Sequence, residues 1–80
     1  MSTIIITVDS EERDRLVAST VRAMRRSLDV TVVDLAKASG IPRPRIEAIE
    51  AGGATTRAER HDITAALSWH RRARTTSARF

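Results

Sequence analysis

The stretch GIPRPRIEAIEAG, residues 40–52, alternates two prolines with two arginines at the start of a helix-like apolar pattern. A guanidinium group makes planar, bidentate contacts with phosphate and with guanine. Pro44 suits the first turn of a helix, where a missing N–H has no partner inside the helix. Because a residue before proline disfavours α geometry, Arg43 is predicted at the cap, with Arg45 in the first turn. The spacing therefore predicts two cationic side chains at the leading end of a short helix.

The other residue types that carry chemistry form no catalytic or metal-binding pattern. The chain has no cysteine, and His61 and His70 have only Asp62 as a close acidic neighbour, which is too few ligands for a metal site. Ser68, His70 and distant acids make no nucleophile arrangement. Gly52–Gly53 is interpreted as a helix stop, not a phosphate-binding loop. We expect a protein that is not an enzyme and that binds no metal, cofactor or small-molecule ligand.

Length and charge predict one small domain with a basic end. Of the fourteen basic residues, ten lie within residues 1–70 and are balanced by the ten acids; four arginines without an acid follow within 71–80. A solvated terminus and a phosphate-contacting arm are both compatible with this composition. The apolar runs are too short to span a membrane, and the N-terminus lacks the basic region of a signal peptide. We therefore expect a cytoplasmic protein.

Residues 3–8, TIIITV, are β-branched throughout, which predicts a strand. The chain contains no other obvious strand to satisfy its backbone groups. We expect it to pair with the same strand of a second molecule across a two-fold axis, although a frayed terminus is the alternative. The predicted dimerisation residues are Thr3, Ile4, Ile5, Ile6, Thr7 and Val8, with Leu16 and Trp69 as candidate neighbours.

Helices are predicted for the chain after this segment. Asp9 and Glu12 resemble a capping box that opens a helix ending near Ser27. Apolar or small side chains recur at three- and four-residue steps along it and predict its buried stripe: Leu16, Val17, Thr20, Met24 and Leu28.

Three further segments follow the same rules of helix capping. Thr31 is placed to cap a helix from Val32 to about Ser39, which Gly40 ends. The quoted stretch supplies the next helix. Thr56 and Glu59 form a second capping box, which opens a helix reaching about Trp69. Residues 71–80 lack periodicity and are predicted to be irregular.

The run TVVDLAKASGIPRPRIEAIEAGG combines a short helix, a glycine turn and a second short helix. It resembles the helix-turn-helix domain of the phage Cro and phage-repressor family, also called Xre-type. The upstream VRAMRRSL and the downstream ITAALSW resemble the family's first and closing helices, so the resemblance covers about residues 16–69. The residues that match the family pattern are Thr31, Leu35-Ala36, Gly40-Ile41, Ile46, Glu50 and Gly52.

The resemblance implies a mainly α, four- to five-helix repressor-like helix-turn-helix domain with one N-terminal β-strand paired across a dimer. Residues 1–9 would be the dimerisation arm, 10–70 the DNA-binding domain and 71–80 a basic tail. The recognition helix, about 43–51, would lie in the major groove. The implied base-reading residues are Arg43, Pro44, Arg45, Glu47 and Ala48. The implied phosphate contacts are Thr31, Val32, Thr55, Thr56 and Arg57. The family's structural ion pair falls on Arg25 and Glu50.

The sequence departs from this family in its amide content. The chain contains no Asn or Gln, and Val32 stands where relatives often place a phosphate-binding Gln. Adenine readout by a bidentate amide is therefore excluded, which leaves arginine to guanine, Glu47 to cytosine, and Ala48 or Pro44 to a thymine methyl. We expect operator half-sites that contain G·C pairs.

The function that the resemblance implies is sequence-specific transcriptional repression of the phage Cro or immunity-repressor type. A homodimer would bind a two-fold symmetric operator in double-stranded DNA in the cytoplasm of a bacterial host, and repression would depend on protein concentration. One alternative is an antitoxin-type autoregulator with a toxin as partner. Another is a protein-interaction module whose N-terminal strand extends the sheet of another protein.

Overall fold

Four α-helices make up the part of the chain that the computed structural model describes, residues 10–77, with side chains described to residue 74. They are α1 (Ser10–Ser27), α2 (Val32–Ser39), α3 (Arg43–Glu50) and α4 (Arg57–Ser77). These residues contain no strand, and the prediction of a mainly α domain of four to five helices is confirmed for them, with four helices. The predicted strand Thr3–Val8 and the capping residue Asp9 lie outside the described residues.

The end of α1 is a left-handed turn centred on Asp29, whose φ is 55°. Its N–H donates to the Arg26 carbonyl at 3.2 Å, and the Val30 N–H donates to the Arg25 carbonyl at 2.9 Å. This pair of bonds is a Schellman motif, and aspartate is one of the few L-residues that tolerate its left-handed position. The turn is followed by Val30, which is buried in the core, and by α2.

Each end of α2 is defined by a single residue. Thr31 caps α2, as predicted: its Oγ1 accepts from the Asp34 N–H at 3.0 Å, and the Asp34 carboxylate accepts from the Thr31 N–H at 3.3 Å. Gly40 ends the helix with a φ of 76°, also as predicted. Only residues 40–42 separate the two helices.

Gly52 and Gly53 end α3, and each glycine meets a different steric requirement. Gly52 has a φ of 100°, which L side chains rarely adopt. The Gly53 N–H donates to the Ala48 carbonyl at 2.9 Å. A Cβ on Gly53 would lie 2.8 Å from that carbonyl oxygen, so only glycine allows this approach. The predicted helix stop is confirmed.

A single apolar core joins the four helices, with α1 and α2 each packed against α3 and α4. Burying each large aliphatic side chain contributes about 1.5–3 kcal/mol. Among the described residues, no helix has both the length and the apolar composition that crossing a membrane requires. The buried apolar residues are Ala18, Val21, Val30, Leu35, Ile41, Ile46, Ile49, Ile63, Ala66 and Leu67.

Two predictions about the helices are wrong in part. Val17, Met24 and Leu28 of the predicted stripe of α1 pack against the core as predicted. Leu16 is 59% exposed and Thr20 is also exposed, and the buried apolar residues of this helix are Ala18 and Val21. The helix predicted to end near Trp69 continues as α4 to Ser77, so residues 71–77 are not irregular. Arginine and alanine are strong helix formers, and they extend α4 without an apolar stripe.

Replacing Gly53 with alanine is expected to lower the free energy of unfolding by about 1 kcal/mol or more, because the new Cβ would press on the Ala48 carbonyl oxygen. Urea denaturation measures the change. Ala51→Ser, at an exposed position near the same helix end, is the control and is expected to stay within about 0.5 kcal/mol of the parent protein. Equal stability of Gly53→Ala and the parent would contradict the close approach.

Candidate nucleic-acid interface

The helix α3 has one buried and one exposed face. Ile46 and Ile49 are buried in the core. The predicted base-reading residues Arg43, Pro44, Glu47 and Ala48 are all exposed. Arg45, the fifth predicted reader, lies between the two faces and is only partly exposed.

The helix α3 begins one residue earlier than predicted. Pro42 occupies the cap, and its carbonyl accepts from the Arg45 N–H at 2.9 Å and the Ile46 N–H at 3.1 Å. Arg43 is therefore the first helical residue, not the cap, and Pro44 is the second. Residues at the first two helical positions donate no backbone hydrogen bond inside the helix. Pro44 therefore costs α3 no hydrogen bond, and the only cost is the steric one at the preceding residue.

Arg43 is the most exposed cation of α3. Its side chain is 61% exposed, and its only described contact is with Glu47, one turn along the helix, at 3.4 Å. An exposed pair of this kind contributes little to stability. The Arg43 guanidinium therefore remains available to a ligand at little cost.

A cleft of about 490 Å³ adjoins Arg43 and is cationic on balance, because its charged lining is three arginines and one carboxylate, that of Asp29. Its lining includes Thr31 and Val32, the predicted phosphate contacts at the start of α2, together with Arg26 from the end of α1. The structure therefore brings a predicted base reader and two predicted phosphate contacts to one surface. Arg26 was not predicted; its position beside Arg25 in the run VRAMRRSL was the available signal.

Arg45 is engaged within the protein. Its Nε donates to Glu59 Oε2 at 2.6 Å, and its Nη2 donates to Glu59 Oε1 at 2.9 Å and to the Ala54 carbonyl at 2.6 Å. The side-chain hydrogen bond from Arg45, and the backbone hydrogen bond from Thr56, lower the pKa of Glu59 from 4.5 to about 2. The same side-chain bond raises the pKa of Arg45. Arg45 thus links α3 to the following loop and to the first turn of α4.

The predicted phosphate contacts after α3 have different surroundings. Thr56 caps α4 as predicted, since its Oγ1 accepts from the Glu59 N–H at 3.1 Å while Glu59 Oε1 accepts from the Thr56 N–H at 2.9 Å. Thr56 and Arg57 are exposed. Thr55 is buried, and its hydroxyl accepts from Arg60 Nη1 at 2.8 Å. The side chains of Thr56 and Arg57 therefore face solvent, whereas that of Thr55 does not.

The predicted ion pair between α1 and α3 is present. Arg25 Nε and Nη2 donate to the two carboxylate oxygens of Glu50 at 2.8 and 2.9 Å, and Arg25 Nη1 donates to the Val30 carbonyl at 3.1 Å. The two side chains are only 16% and 9% exposed. The hydrogen bond to Glu50 raises the pKa of Arg25. Arg22, which was not predicted, adds a hydrogen bond of 2.7 Å to the Glu50 carbonyl.

Elsewhere, the histidines are not gathered with acids into a larger group. Within the described part of the chain, no three His, Asp or Glu side chains are arranged to hold a metal ion. Most of the predicted base-reading and phosphate-contacting residues lie around the start of α3.

The pKa of Glu59 predicts a pH dependence of folding. Its folded-state value lies below the unfolded one, so its ion pair with Arg45 stabilises the fold above the unfolded pKa of 4.5, and this contribution is lost as pH falls towards 2. Glu59→Gln keeps an oxygen for the Thr56 N–H but loses the charge. In urea denaturation, the stability difference between the two proteins is expected to shrink as pH falls from about 5 to about 2.5. A difference that stays constant would mean that the ion pair does not contribute.

Comparisons of the chain with protein-family models, with curated proteins and with solved structures found no match in any of the three. The resemblance to the Cro and phage-repressor family therefore stays a prediction, and the functional inference depends on the geometry and charge around α3.

Proposed function

We propose that the protein is a sequence-specific DNA-binding transcriptional repressor of the phage Cro or immunity-repressor type, with α2 and α3 as its helix-turn-helix. The observation that carries this proposal is the exposed face of α3, which presents Arg43, Glu47 and Ala48 beside the cationic cleft. A helix of eight residues is about 12 Å long, a length that the major groove of B-DNA accommodates.

Groups suited to phosphate at the starts of α2 and α4 support the proposal. Arg26, and Thr31 at the N-terminus of α2, line the cleft beside Arg43. Thr56 and Arg57 lie at the N-terminus of α4, whose Glu59 binds Arg45 of α3. Helix N-termini carry partial positive charge and backbone donors that suit phosphate. A duplex seated on α3 would lie near both helix N-termini.

Base recognition would depend on arginine and glutamate, because the chain contains no Asn or Gln. Arg43 is the exposed side chain suited to guanine O6 and N7, and Glu47 can accept from a cytosine amino group. Ala48 and Pro44 offer apolar contacts to a thymine methyl. The resulting half-site would contain at least one G·C pair.

Two-fold pairing completes the proposed repressor. Two recognition helices would occupy successive major grooves about 34 Å apart, as in other helix-turn-helix dimers. The residues proposed for pairing are those of the Thr3–Val8 segment. Exposed Leu16 on α1 is an apolar neighbour along the same chain. Occupying a promoter-proximal operator in a bacterial cytoplasm would exclude polymerase, with protein concentration as the control.

Selection of bound duplexes from a random pool, at near-physiological salt, tests the proposal. The parent protein is expected to enrich a two-fold symmetric motif with G·C pairs, because Arg43 contacts guanine. Arg43→Ala is expected to lose the preference for guanine at one position of each half-site. The loss corresponds to about 1–3 kcal/mol of discrimination between bases.

Arg15→Ala is the matched control for this selection, because it removes the same charge from an exposed position in the N-terminal half of α1. Its enriched motif is expected to match that of the parent protein. If the parent protein enriches no motif, the proposal fails. If Arg43→Ala and Arg15→Ala retain the same motif, Arg43 does not read bases.

The proposed dimer is tested by placing a charge in the N-terminal segment. Ile5→Asp is expected to shift the protein towards monomer in sedimentation velocity, because a carboxylate would be buried between paired strands. It is also expected to weaken operator binding. Ser19→Asp adds the same charge at an exposed position of α1 and is expected to leave the dimer intact. A dimer that survives Ile5→Asp would place the interface elsewhere.

A further inference from the structure

We propose that Arg45 is a positioning residue that acts through Glu59, so that Arg43 alone carries guanine recognition from α3. This inference rests on the proposed DNA-binding function and assigns different roles to two arginines that the sequence makes equivalent. Arg45 holds the loop after α3 and the first turn of α4 in place. The phosphate-contacting groups at the start of α4 then have a fixed position relative to the recognition helix.

The hydrogen bonds of Arg45 leave no pair of donors for guanine. Bidentate recognition uses N–H groups on two neighbouring nitrogens, either Nε with Nη2 or Nη1 with Nη2. Glu59 takes the Nε–H and one Nη2–H, at 2.6 and 2.9 Å. The Ala54 carbonyl takes a further bond from Nη2 at 2.6 Å. The two hydrogens of Nη1 remain, and one nitrogen alone cannot form the fork.

The bonds from Arg45 to Glu59 fix the position of the loop because the same carboxylate also binds the loop backbone. Oε1 accepts from Arg45 and also from the Thr56 N–H at 2.9 Å, so one carboxylate oxygen joins α3 to the cap of α4. The Ala54 carbonyl adds the middle of the loop to the same contact. Arg45 therefore fixes both ends of the segment that carries Thr56 and Arg57.

Arg43 differs from Arg45 in each of these respects. Its one described contact is the 3.4 Å pair with Glu47, which is itself exposed, and its side chain is the more exposed of the two. Binding DNA through Arg43 disrupts no element of the fold. Binding through the Arg45 fork would require release of Glu59 and Ala54, and with them the loop that also contacts phosphate.

The variant Glu59→Gln separates the two roles because they predict opposite effects. It removes a negative charge near the proposed DNA surface and one of the two oxygens that hold Arg45, while keeping an oxygen that can accept from the Thr56 N–H. If Arg45 reads bases, Glu59→Gln should bind the selected operator as well as the parent protein or more tightly. If Arg45 positions the loop, binding should weaken in spite of the favourable change in charge.

The experiment measures operator affinity for the parent protein, Glu59→Gln, Arg45→Ala and the double variant, at one salt concentration. We expect each single variant to lose about five- to tenfold, the order of one or two phosphate contacts, and the double variant to lose no more than the singles. The base sequence that each variant selects should be that of the parent protein. A changed base preference in Arg45→Ala, with Glu59→Gln binding normally, would overturn the proposal.

Hydrogen exchange gives a readout that does not need DNA, so failure of the proposed function is distinguishable from failure of this inference. Amides of the loop between α3 and α4 should exchange faster in Glu59→Gln and in Arg45→Ala than in the parent protein. Arg45→Lys, which supplies a point charge without a fork, tests the same prediction if Arg45→Ala does not fold. Unchanged loop exchange in the folded variants would overturn the positioning role even if the parent protein binds no DNA.

Discussion

The ion pair between Arg25 and Glu50 sets the placement of α3, on which the rest of the proposed interface depends. The pair is largely removed from solvent and is bidentate, so it fixes both the distance and the rotation between α1 and the end of α3. Arg22 binds the carbonyl at the same helix end, where cations complement the helix dipole. Apolar packing is non-directional, whereas a bidentate ion pair requires one arrangement of its two groups. In a domain with a small core, such a pair therefore restricts the placement of the helix more than apolar packing alone.

A second arginine–carboxylate pair acts at the opposite end of the same helix. Arg45 and Glu59 join the beginning of α3 to α4, as Arg25 and Glu50 join its end to α1. The helix is thus held at both ends by charge and along one side by apolar packing. Its remaining face, which includes Arg43, does not hold the helix in place and is exposed to solvent.

The sequence predicts three of the helix boundaries well because those boundaries depend on local chemistry. The caps at Thr31 and Thr56 and the stop at Gly40 each involve residues at most four positions apart. The role of Arg45 was not predictable in this way. Glu59 is fourteen residues away, and its capping pattern gives no sign of a second partner. Only the tertiary arrangement of α3 and α4 makes that contact.

The same distinction accounts for the errors at the two long helices. Apolar periodicity placed Leu16 in the buried stripe of α1, but Leu16 is exposed and the buried apolar positions of this helix are Ala18 and Val21. The extension of α4 carries no apolar stripe for periodicity to detect. Arg74 in this extension makes polar tertiary contacts, a 3.0 Å hydrogen bond to the Ser27 carbonyl and a 3.6 Å ion pair with Asp29. Contacts of this kind become evident only when both helices are placed.

The dual use of Glu59 also bears on how the domain unfolds. A helix whose first turn is capped only by its own residues can fray by itself, with little effect on its neighbours. Here the carboxylate that caps α4 also receives the guanidinium of α3. Opening the first turn of α4 therefore removes a restraint on the start of α3, and the reverse also holds. The start of α3 and the first turn of α4 are thus coupled through one carboxylate, which favours their opening together over the fraying of one helix end alone.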